Sequence, residues 1–586
     1  MSTQVKLIAV ILALLVSIPA AAGADSTPAA GELNFHRNHL NDEVVAYLKW
    51  VVKTYPHIAR LHTIGKSYLG KDLLVLEITH QKNGNPAEKP GFWIDGNLHA
   101  SEVMGAEVCL KQIDTMVRQY GKDPAITHIV DTRTTYIMPK LNPDGSDHYL
   151  TRPDGMRSSV RPYDDDGDGL FDEDPPEDLN GDGHITQMRV RDETGPWKTS
   201  PDDPRLLVRA KEDEKGEWRV YSEGIDNDGD GRFNEDGVGG LDINRNWPAQ
   251  WQQDYLQPRG GLYPLSEPET RAVADFLLSH PNITGVVNHH MAGNFLYRPP
   301  SNRIFNPVTG EEEFFPPEDE AVYQVFGNKY SELINKQPVR KVFGRGGPPR
   351  HGAIWGVMMD WAYYHYGVIS WVPEMGSLHH FCDDDEDGRV TDLERLRWND
   401  TEMDGRIFVD WEPYDHPQLG RVEIGGFISK LWDPEHQRYT NLMTLPHPFY
   451  FDLLEKHTQW NLYLIAMSPF VRITDVKVAP GEAGYYKVSA TIQNQGFLPS
   501  NVTQQAVNNG TAKTVKAVIA LTGAELAAGS EAIDLGHLPG NRSEPVTVEW
   551  MVRATGKKPA EAVIRSVSEK GGADARKVSL TSKKSP

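Results

Sequence analysis

The chain has 586 residues, a length at which one large domain with an accessory domain is expected. Hydrophobic residues make up 39% of it, which is enough to bury cores and excludes an intrinsically disordered protein. The net charge is −22, of which −20 is held by three acidic stretches: residues 163–182, 226–236 and 383–394. No basic surface is expected, so nucleic-acid binding is excluded.

The N-terminal residues 1–24 have the pattern of a secretory signal peptide. Lys6 precedes an apolar run at residues 7–16, and small residues follow at 20–24. No later apolar run reaches the ~18 residues that a membrane-spanning helix needs. We therefore expect a secreted or periplasmic protein without a membrane span, and we expect it to be a monomer.

Strand and helix patterns alternate through residues 25–467. In chain order they occur at residues 44–55 (helix), 73–79 and 91–96 (strands), 106–117 (helix) and 285–288 (strand). The spacing of Ser266 and Glu269 is that of a capping box, and it predicts a helix through residue 278. The alternation predicts an α/β fold, a mixed sheet flanked by helices in an α/β/α sandwich.

The pattern changes at residue 468. Short alternating apolar runs separated by Gly, Pro and Asn occur at residues 471–478, 485–493, 515–521, 546–552 and 563–567. These runs predict an all-β accessory domain over residues 468–586, a β-sandwich followed by a tail.

Four acidic loops have the spacing of a calcium-binding loop. Residues 164–174 and 226–236 agree at eight of eleven positions, and residues 178–186 are similar. In residues 383–394 acids occupy positions 1, 3, 5 and 12 around a glycine at position 6, as a calcium loop requires. The predicted calcium ligands are Asp164, Asp166, Asp168, Asp178, Asn180, Asp182, Asp226, Asp228, Asp230, Asp383, Asp385, Asp387 and Glu394.

The alternative for these loops is a solvated acidic surface. The first three loops lack an acid at position 12, so their last ligand has to come from elsewhere in the chain. If calcium binds, we expect it to be structural, and to stiffen the long insertion between Gly145 and Asp242 at the rim of the active-site cleft.

Four short motifs in the α/β region carry the residue types of a hydrolytic zinc site. They lie at residues 99–102, 241–247, 286–290 and 369–375, and they contain histidines, glutamates and an arginine. Such a site needs two nitrogens and one carboxylate on the metal, an open position for water, and a further glutamate as base.

Taken together, these motifs resemble the zinc carboxypeptidase family of the carboxypeptidase A type over residues 40–440. The resemblance also includes Asn142-Pro-Asp-Gly145 and the segment 266–269. It implies an exported zinc metallocarboxypeptidase with one catalytic Zn²⁺. Its substrates are expected to be the C-termini of peptides or proteins.

The resemblance implies that His99, Glu102 and either His289 or His290 hold the zinc ion. Adjacent residues on a strand point to opposite faces, so only one of the two histidines is expected to reach the metal. In the family a tyrosine stands eight residues after the ligand. Tyr297 stands eight residues after His289, so His289 is preferred.

By the same resemblance, Glu374 is the general base that takes a proton from water. Arg245, with Asn244, is expected to hold the terminal carboxylate of the substrate, because a guanidinium can grip a carboxylate through two parallel hydrogen bonds.

The family's arginine that stabilises the oxyanion has no direct counterpart. Aligned on Pro162, its position falls on Val160, which is flanked by the two candidates Arg157 and Arg161. We prefer Arg161. Met359 is the expected selective residue of the side-chain pocket, and its apolar side chain favours neutral or hydrophobic C-terminal residues.

Two other functions remain open from the sequence. One is a zinc peptidase or amidase that acts on cell-wall stem peptides, which Asn244 and Arg245 do not disfavour because such peptides carry a free carboxylate. The other is an inactive, calcium-stabilised binding protein, which the retention of Glu374 disfavours.

Overall fold

The computed structural model describes residues 31–305, 309–334, 354–386, 389–541, 544–556 and 559–580. The predicted signal peptide lies outside these ranges. Within them, no helix has both the length and the apolar character needed to cross a membrane.

The described chain forms helices and strands throughout. The helices are α1 (Asn41–Thr54), α2 (Met104–Gln119), α3 (Pro124–Thr132), α4 (Pro143–Thr151), α5 (Pro268–Ser279), α6 (Pro317–Leu333), α7 (Met358–Asp360), α8 (His379–Cys382), α9 (Asp392–Thr401), α10 (Pro448–Ala466) and α11 (Gln504–Asn508). A π-helical turn, Trp361–His365, continues α7.

Strands β1 to β13 belong to the first two thirds of the chain. They are β1 (Ala59–Lys66), β2 (Asp72–Ile78), β3 (Gly91–Gly96), β4 (Thr134–Met138), β5 (Gln187–Arg191), β6 (Trp197–Thr199), β7 (Leu207–Arg209), β8 (Trp218–Ser222), β9 (Ile283–His289), β10 (Phe295–Tyr297), β11 (Ile304–Phe305), β12 (Glu312–Glu313) and β13 (Ile369–Glu374).

The remaining strands follow residue 407. They are β14 (Phe408–His416), β15 (Gly420–Phe427), β16 (Lys430–Asp433), β17 (Arg438–Asn441), β18 (Val471–Pro480), β19 (Tyr485–Asn494), β20 (Lys516–Thr522), β21 (Ala524–Ala528), β22 (Ala532–Asp534), β23 (Val546–Ala554), β24 (Glu561–Ser568) and β25 (Gly572–Ser579).

The central sheet has seven strands in the order β1-β2-β4-β3-β9-β13-β10. Strands β4, β3, β9 and β13 are parallel, whereas β1, β2 and β10 pair antiparallel at the two edges. The inner strands β3 and β9 are buried along their whole length, as expected where helices cover both faces of a sheet. The predicted mixed sheet flanked by helices is confirmed.

The capping box predicted at the start of α5 is not formed. The N-cap residue of this helix is Glu267, and its side chain makes no capping bond. Glu269 instead accepts a hydrogen bond from the backbone N–H of Tyr68, at 2.8 Å. The Glu269 carboxylate, which the local spacing assigned to the helix cap, is therefore bound by a residue distant in sequence.

The insertion builds a second sheet that the sequence analysis did not predict. Its six strands have the order β14-β15-β5-β8-β6-β7. Four of them come from residues 187–222, and a hairpin from residues 408–427 supplies the other two. The hairpin joins through the antiparallel pair β15–β5. The insertion thus forms a sheet of its own, which later residues of the chain complete.

The C-terminal region forms two four-stranded antiparallel sheets, β18-β19-β23-β21 and β22-β20-β24-β25. Val488 and Trp550 of the first sheet and Ala517 and Ile564 of the second share one buried core. Period-2 burial along β19, β23 and β24 matches the alternation of their sequences.

Hydrogen bonds join the C-terminal region to the α/β region. The Lys570 ammonium donates to the carbonyl of Ile283, at the first residue of β9, over 2.8 Å. On the other side, the Asp319 carboxylate accepts hydrogen bonds from the backbone N–H groups of Gln504 (2.7 Å) and Gln505 (3.1 Å).

Lys430 fills a buried cage of three backbone carbonyls. Its ammonium donates to the carbonyl oxygens of Tyr149 (2.7 Å), Arg152 (2.5 Å) and Asp154 (2.6 Å). A buried acceptor without a donor costs about 1–3 kcal/mol. We expect Lys430→Met to lower the unfolding temperature by several degrees in calorimetry, whereas Lys215→Met, at a side chain 88% exposed, leaves it unchanged. Equal unfolding temperatures would show that the cage adds no stability.

Candidate active site

The carboxyl ends of three neighbouring strands, β3, β9 and β13, meet at one edge of the central sheet. The turn after β3 carries the motif at residues 99–102, and Gly96 is where the chain leaves the strand. A Cβ at Gly96 would lie 2.3 Å from the carbonyl carbon of Gly105, so only glycine allows α2 to begin this close to the strand. This packing turns the motif over the edge of the sheet, where sites of open α/β sheets lie.

His99, Glu102 and His290 form a compact buried cluster at this edge. His99 Nδ1 lies 2.7 Å from Glu102 Oε1, and His290 Nδ1 lies 2.8 Å from Glu102 Oε2. The two Nδ1 atoms are 3.0 Å apart. Each of the three residues is at most 4% exposed. Two imidazole nitrogens and a carboxylate thus converge from two strand ends.

The preference for His289 is corrected by this geometry. His289 points to the opposite face of β9, where its Nδ1 contacts the carbonyl oxygen of Asp95 (3.1 Å) and its Nε2 contacts Asn461 (3.4 Å). Strand alternation correctly implied that one histidine alone would reach the cluster. The count from Tyr297 selected the wrong one, because Tyr297 stands seven residues after His290 in this chain.

The charges of the cluster stabilise one another. Burial disfavours the protonated form of His99. The negative charges of Glu102 and Asp242 outweigh this effect and raise the pKa of His99. Burial also opposes the ionisation of Glu102, and His99 and His290 overcome it, so the pKa of Glu102 lies well below its usual range. The carboxylate is therefore ionised at neutral pH, as a metal ligand must be.

A second layer of side chains orients both histidines. His99 Nε2 lies 3.2 Å from the Asp242 carboxylate. His290 Nε2 is hydrogen-bonded to the side-chain oxygen of Asn288, whose amide donates to the buried Asp95. Such partners fix the ring orientation of histidine ligands. Asn288 was missed, although it stands two residues before His290, the spacing at which residues of an extended chain share a face.

Glu374 lies at the end of β13, beside the cluster. The residues before and after it, Pro373 and Met375, are both hydrogen-bonded to the backbone of His290. The His290 N–H donates to the Pro373 carbonyl, and the His290 carbonyl accepts from the Met375 N–H, each at 2.9 Å. Burial and the negative charge of Glu102 raise the pKa of Glu374 well above its usual value. A carboxylate that readily accepts a proton therefore stands next to the cluster.

Arg157, rather than the preferred Arg161, reaches the cluster. Its guanidinium lies 2.9 Å from both Glu102 Oε1 and His99 Nε2, and its side chain is half exposed. Arg161 instead bonds Glu267 at 2.8 Å and stacks on the Tyr68 ring. The reason is that the Arg157 carbonyl accepts a backbone hydrogen bond from Ala100 N–H (2.9 Å), next to His99.

The predicted carboxylate-binding pair lies next to the same cluster. Arg245 Nη1 donates to the Asn244 carbonyl (2.8 Å) and lies 3.8 Å from the Asp242 carboxylate. The Asn244 side-chain oxygen accepts a hydrogen bond from the N–H of Met358 at 3.0 Å, and the next residue in the chain is the buried Met359. Asp242 therefore links the candidate carboxylate clamp to His99.

Three of the four acidic loops share one local geometry. The first aspartates, Asp164, Asp178 and Asp226, each accept two N–H bonds from the glycines three and five residues later. The donor atoms of Asp164, Asp166 and Asp168 lie within 4.8 Å of one another, as do those of Asp383, Asp385 and Glu394. Asp387 lies outside the described residues. Calcium at these loops stays a prediction.

The buried cluster fits a zinc ion. Its donors are two imidazole nitrogens and one carboxylate, the set that catalytic zinc sites use. The three donor atoms lie within 4.8 Å of one another, and both histidines have their second nitrogen bound by another side chain. His99, Glu102 and His290 would hold the ion, and water would take the open side.

Comparison with known proteins agrees with this site. Residues 44–383, more than half of the chain, match the zinc carboxypeptidase family model, and the chain belongs to that family. Residues 470–579 match a domain family of unknown function.

The chain resembles parts of other carboxypeptidases, and its matches span less than a third of the length of each of two curated relatives. It is 38% identical to mouse carboxypeptidase M over 134 residues, which are 23% of this chain and 30% of that protein. It is 23% identical to Drosophila melanogaster carboxypeptidase D over 431 residues, 70% of this chain and 24% of that protein. Carboxypeptidase A from Helicoverpa armigera superposes with a TM-score of 0.39 at 18% identity, over 64% of this chain and 72% of that one.

Proposed function

We propose that this protein is an exported zinc metallocarboxypeptidase that hydrolyses the C-terminal peptide bond of peptides or proteins. The observation that carries the proposal is the buried cluster of His99, Glu102 and His290 with Glu374 beside it. Arg157 and Arg245 both lie next to Asp242, so a cation for the scissile carbonyl and a cation for the terminal carboxylate flank the cluster. Export rests on the signal-peptide pattern of residues 1–24.

Each side chain of the site has a separate role in the proposed reaction. Bound zinc supplies Lewis-acid polarisation of the scissile carbonyl and a lowered pKa for water. Glu374 accepts the proton of the attacking water and returns it to the leaving amine. Arg157 donates hydrogen bonds to the carbonyl oxygen as it gains negative charge. Arg245 holds the terminal carboxylate, so cleavage is confined to the last peptide bond.

The proposal is tested with N-blocked dipeptides that have either a free or an amidated C-terminus. The purified chain should contain about one zinc ion and release the last residue from the free form alone. Arg245→Gln should raise KM for the free form and leave zinc content unchanged. Equal hydrolysis of both forms would refute a carboxypeptidase. Zinc without turnover of either would favour cell-wall stem peptides, to be assayed next.

The two arginine candidates give a matched pair of variants. Arg157→Ala should lower kcat/KM by about 100-fold, the usual loss for one oxyanion donor. Arg161→Ala, which removes only the contacts to Glu267 and Tyr68, should stay close to the unmodified protein. Zinc content is measured in both, because Arg157 also touches Glu102. A larger loss for Arg161→Ala would reverse the assignment.

A further inference from the structure

The two similar acidic loops lie side by side at the base of the insertion. We name residues 164–174 the first repeat and residues 226–236 the second repeat. A backbone bridge pairs Asp174 with Asp236, the last residues of the two repeats. The repeats, about sixty residues apart in sequence, therefore form one structural unit.

The two bridging aspartates occupy equivalent positions but have different surroundings. Asp174 is fully satisfied, because it accepts from Asn227 N–H and Nδ2 (3.1 Å each) and from Asn234 N–H (2.8 Å). Asp236 is completely buried. One of its oxygens accepts a long bond from Asp165 N–H (3.3 Å), and Oδ1 has no partner in the described part of the chain.

Carboxylates surround Asp236 where donors would be expected. Its carboxylate lies within 4.8 Å of donor atoms of Asp166 and Glu173, and Glu173 Oε2 is itself buried without a donor. A second group of donors, also within 4.8 Å of one another, adjoins the first and consists of Asp166, Asp228, Asp230 and Glu235. The unpaired buried oxygens of Asp236 and Glu173 are strongly unfavourable without a partner. A cation would satisfy them and would offset the repulsion within the more exposed second group.

We propose that the two repeats bind calcium as one paired centre, with Asp166 common to both groups of donors. Glu173 and Glu235 stand at position 10 of their loops and Asp236 comes from the opposite loop, so they supply the ligands that position 12 lacks. The donors are all oxygens on flexible loops. Calcium accepts six to eight such ligands, whereas magnesium demands a stricter octahedron and retains waters.

The paired centre would also fix two segments of the active site. Arg157 lies shortly before the first repeat in sequence, and Asp242 lies shortly after the second repeat. The two segments are joined by a hydrogen bond from the Ser159 N–H to the Leu241 carbonyl, at 2.9 Å. A change in the spacing of the repeats would therefore move Arg157 relative to Asp242. This consequence rests on the proposed function, but the calcium centre itself does not.

The test uses the full chain, which is treated with EGTA to remove calcium and then reloaded with zinc, because EGTA also binds zinc. CaCl₂ and, separately, MgCl₂ are titrated by calorimetry, and the unfolding temperature is measured with and without each. Glu173→Gln and Asp236→Asn are compared with Asp213→Asn, an exposed aspartate of the same insertion. Calcium at other acidic loops is common to all variants, so the differences report on the paired centre.

We expect each of the two ligand variants to bind calcium at least tenfold more weakly at this centre and to lose part of the calcium-dependent rise in unfolding temperature. The double variant should lose little more than either single one, because both remove ligands of the same ion. If Asp236→Asn does not fold, the partly exposed Glu173 carries the test. Calcium binding equal to that of Asp213→Asn, additive losses, or a preference for magnesium would overturn the proposal.

Discussion

Glu374→Gln is expected to lower kcat/KM by about 10³-fold or more, within the range of a lost general base. Glutamine keeps the size of the side chain but cannot accept a proton from water. Because Glu374 is not among the three clustered donors, zinc content should stay at that of the unmodified chain. Steady-state kinetics on a blocked dipeptide, together with metal analysis, measure both quantities.

Glu269→Gln provides the matched control. Glu269 is also a buried glutamate, and burial raises its pKa to about 7, but it bonds Tyr68 N–H away from the cluster. The control should retain activity within a few fold. A similar loss in both variants would indicate a general effect of removing a buried carboxylate. Near-normal activity of Glu374→Gln would require another base.

Replacement of each adjacent histidine should separate a ligand from its neighbour. His290→Gln is expected to weaken zinc binding by more than the ~10–100-fold that loss of an outer partner causes, and to abolish activity. His289→Gln should keep its zinc and most of its turnover, because His289 packs on the opposite face against Asn461 and the His457 ring.

The readout is zinc content after dialysis against a competing chelator, with activity measured on the same samples. Loss of zinc in His289→Gln but not in His290→Gln would restore the count from Tyr297 as the better guide. Loss in both would mean that the variants disturb β9 itself, which circular dichroism and the unfolding temperature would show.

The site was predictable wherever one strand and its turn determine it. The sequence placed His99 and Glu102 just after the predicted strand 91–96, and parallel strands bring such ends together. Glu374 was assigned from the family resemblance. Spacing failed where the neighbourhood depends on distant chain segments. Arg157 is held by Ala100 N–H, a contact that an alignment on Pro162 cannot show. His290 was not preferred, because the count of residues back from Tyr297 assumed a fixed loop length.

In the fold, too, local sequence patterns predicted some elements, whereas elements that depend on distant segments were not predicted. The central sheet follows from alternating strand and helix patterns, and the C-terminal strands follow from period-2 alternation. The second sheet could not be predicted, because β5 pairs with β15 across more than two hundred residues, and β6 and β7 have three residues each. Such short strands carry too little pattern to be recognised without their partners.

The hydrogen bonds between the α/β region and the C-terminal region have a consequence for how this chain can be divided. The two family matches, at residues 44–383 and 470–579, look like separable modules. Yet Lys570 is the donor for the Ile283 carbonyl at the start of the strand that leads to His290. Exchange of the C-terminal module for that of another protein would remove the Lys570 donor from this carbonyl. It would also remove the Gln504 and Gln505 donors from the Asp319 carboxylate, which would keep the Tyr363 hydroxyl as a donor. Recombination between relatives would therefore have to preserve both halves of this junction together.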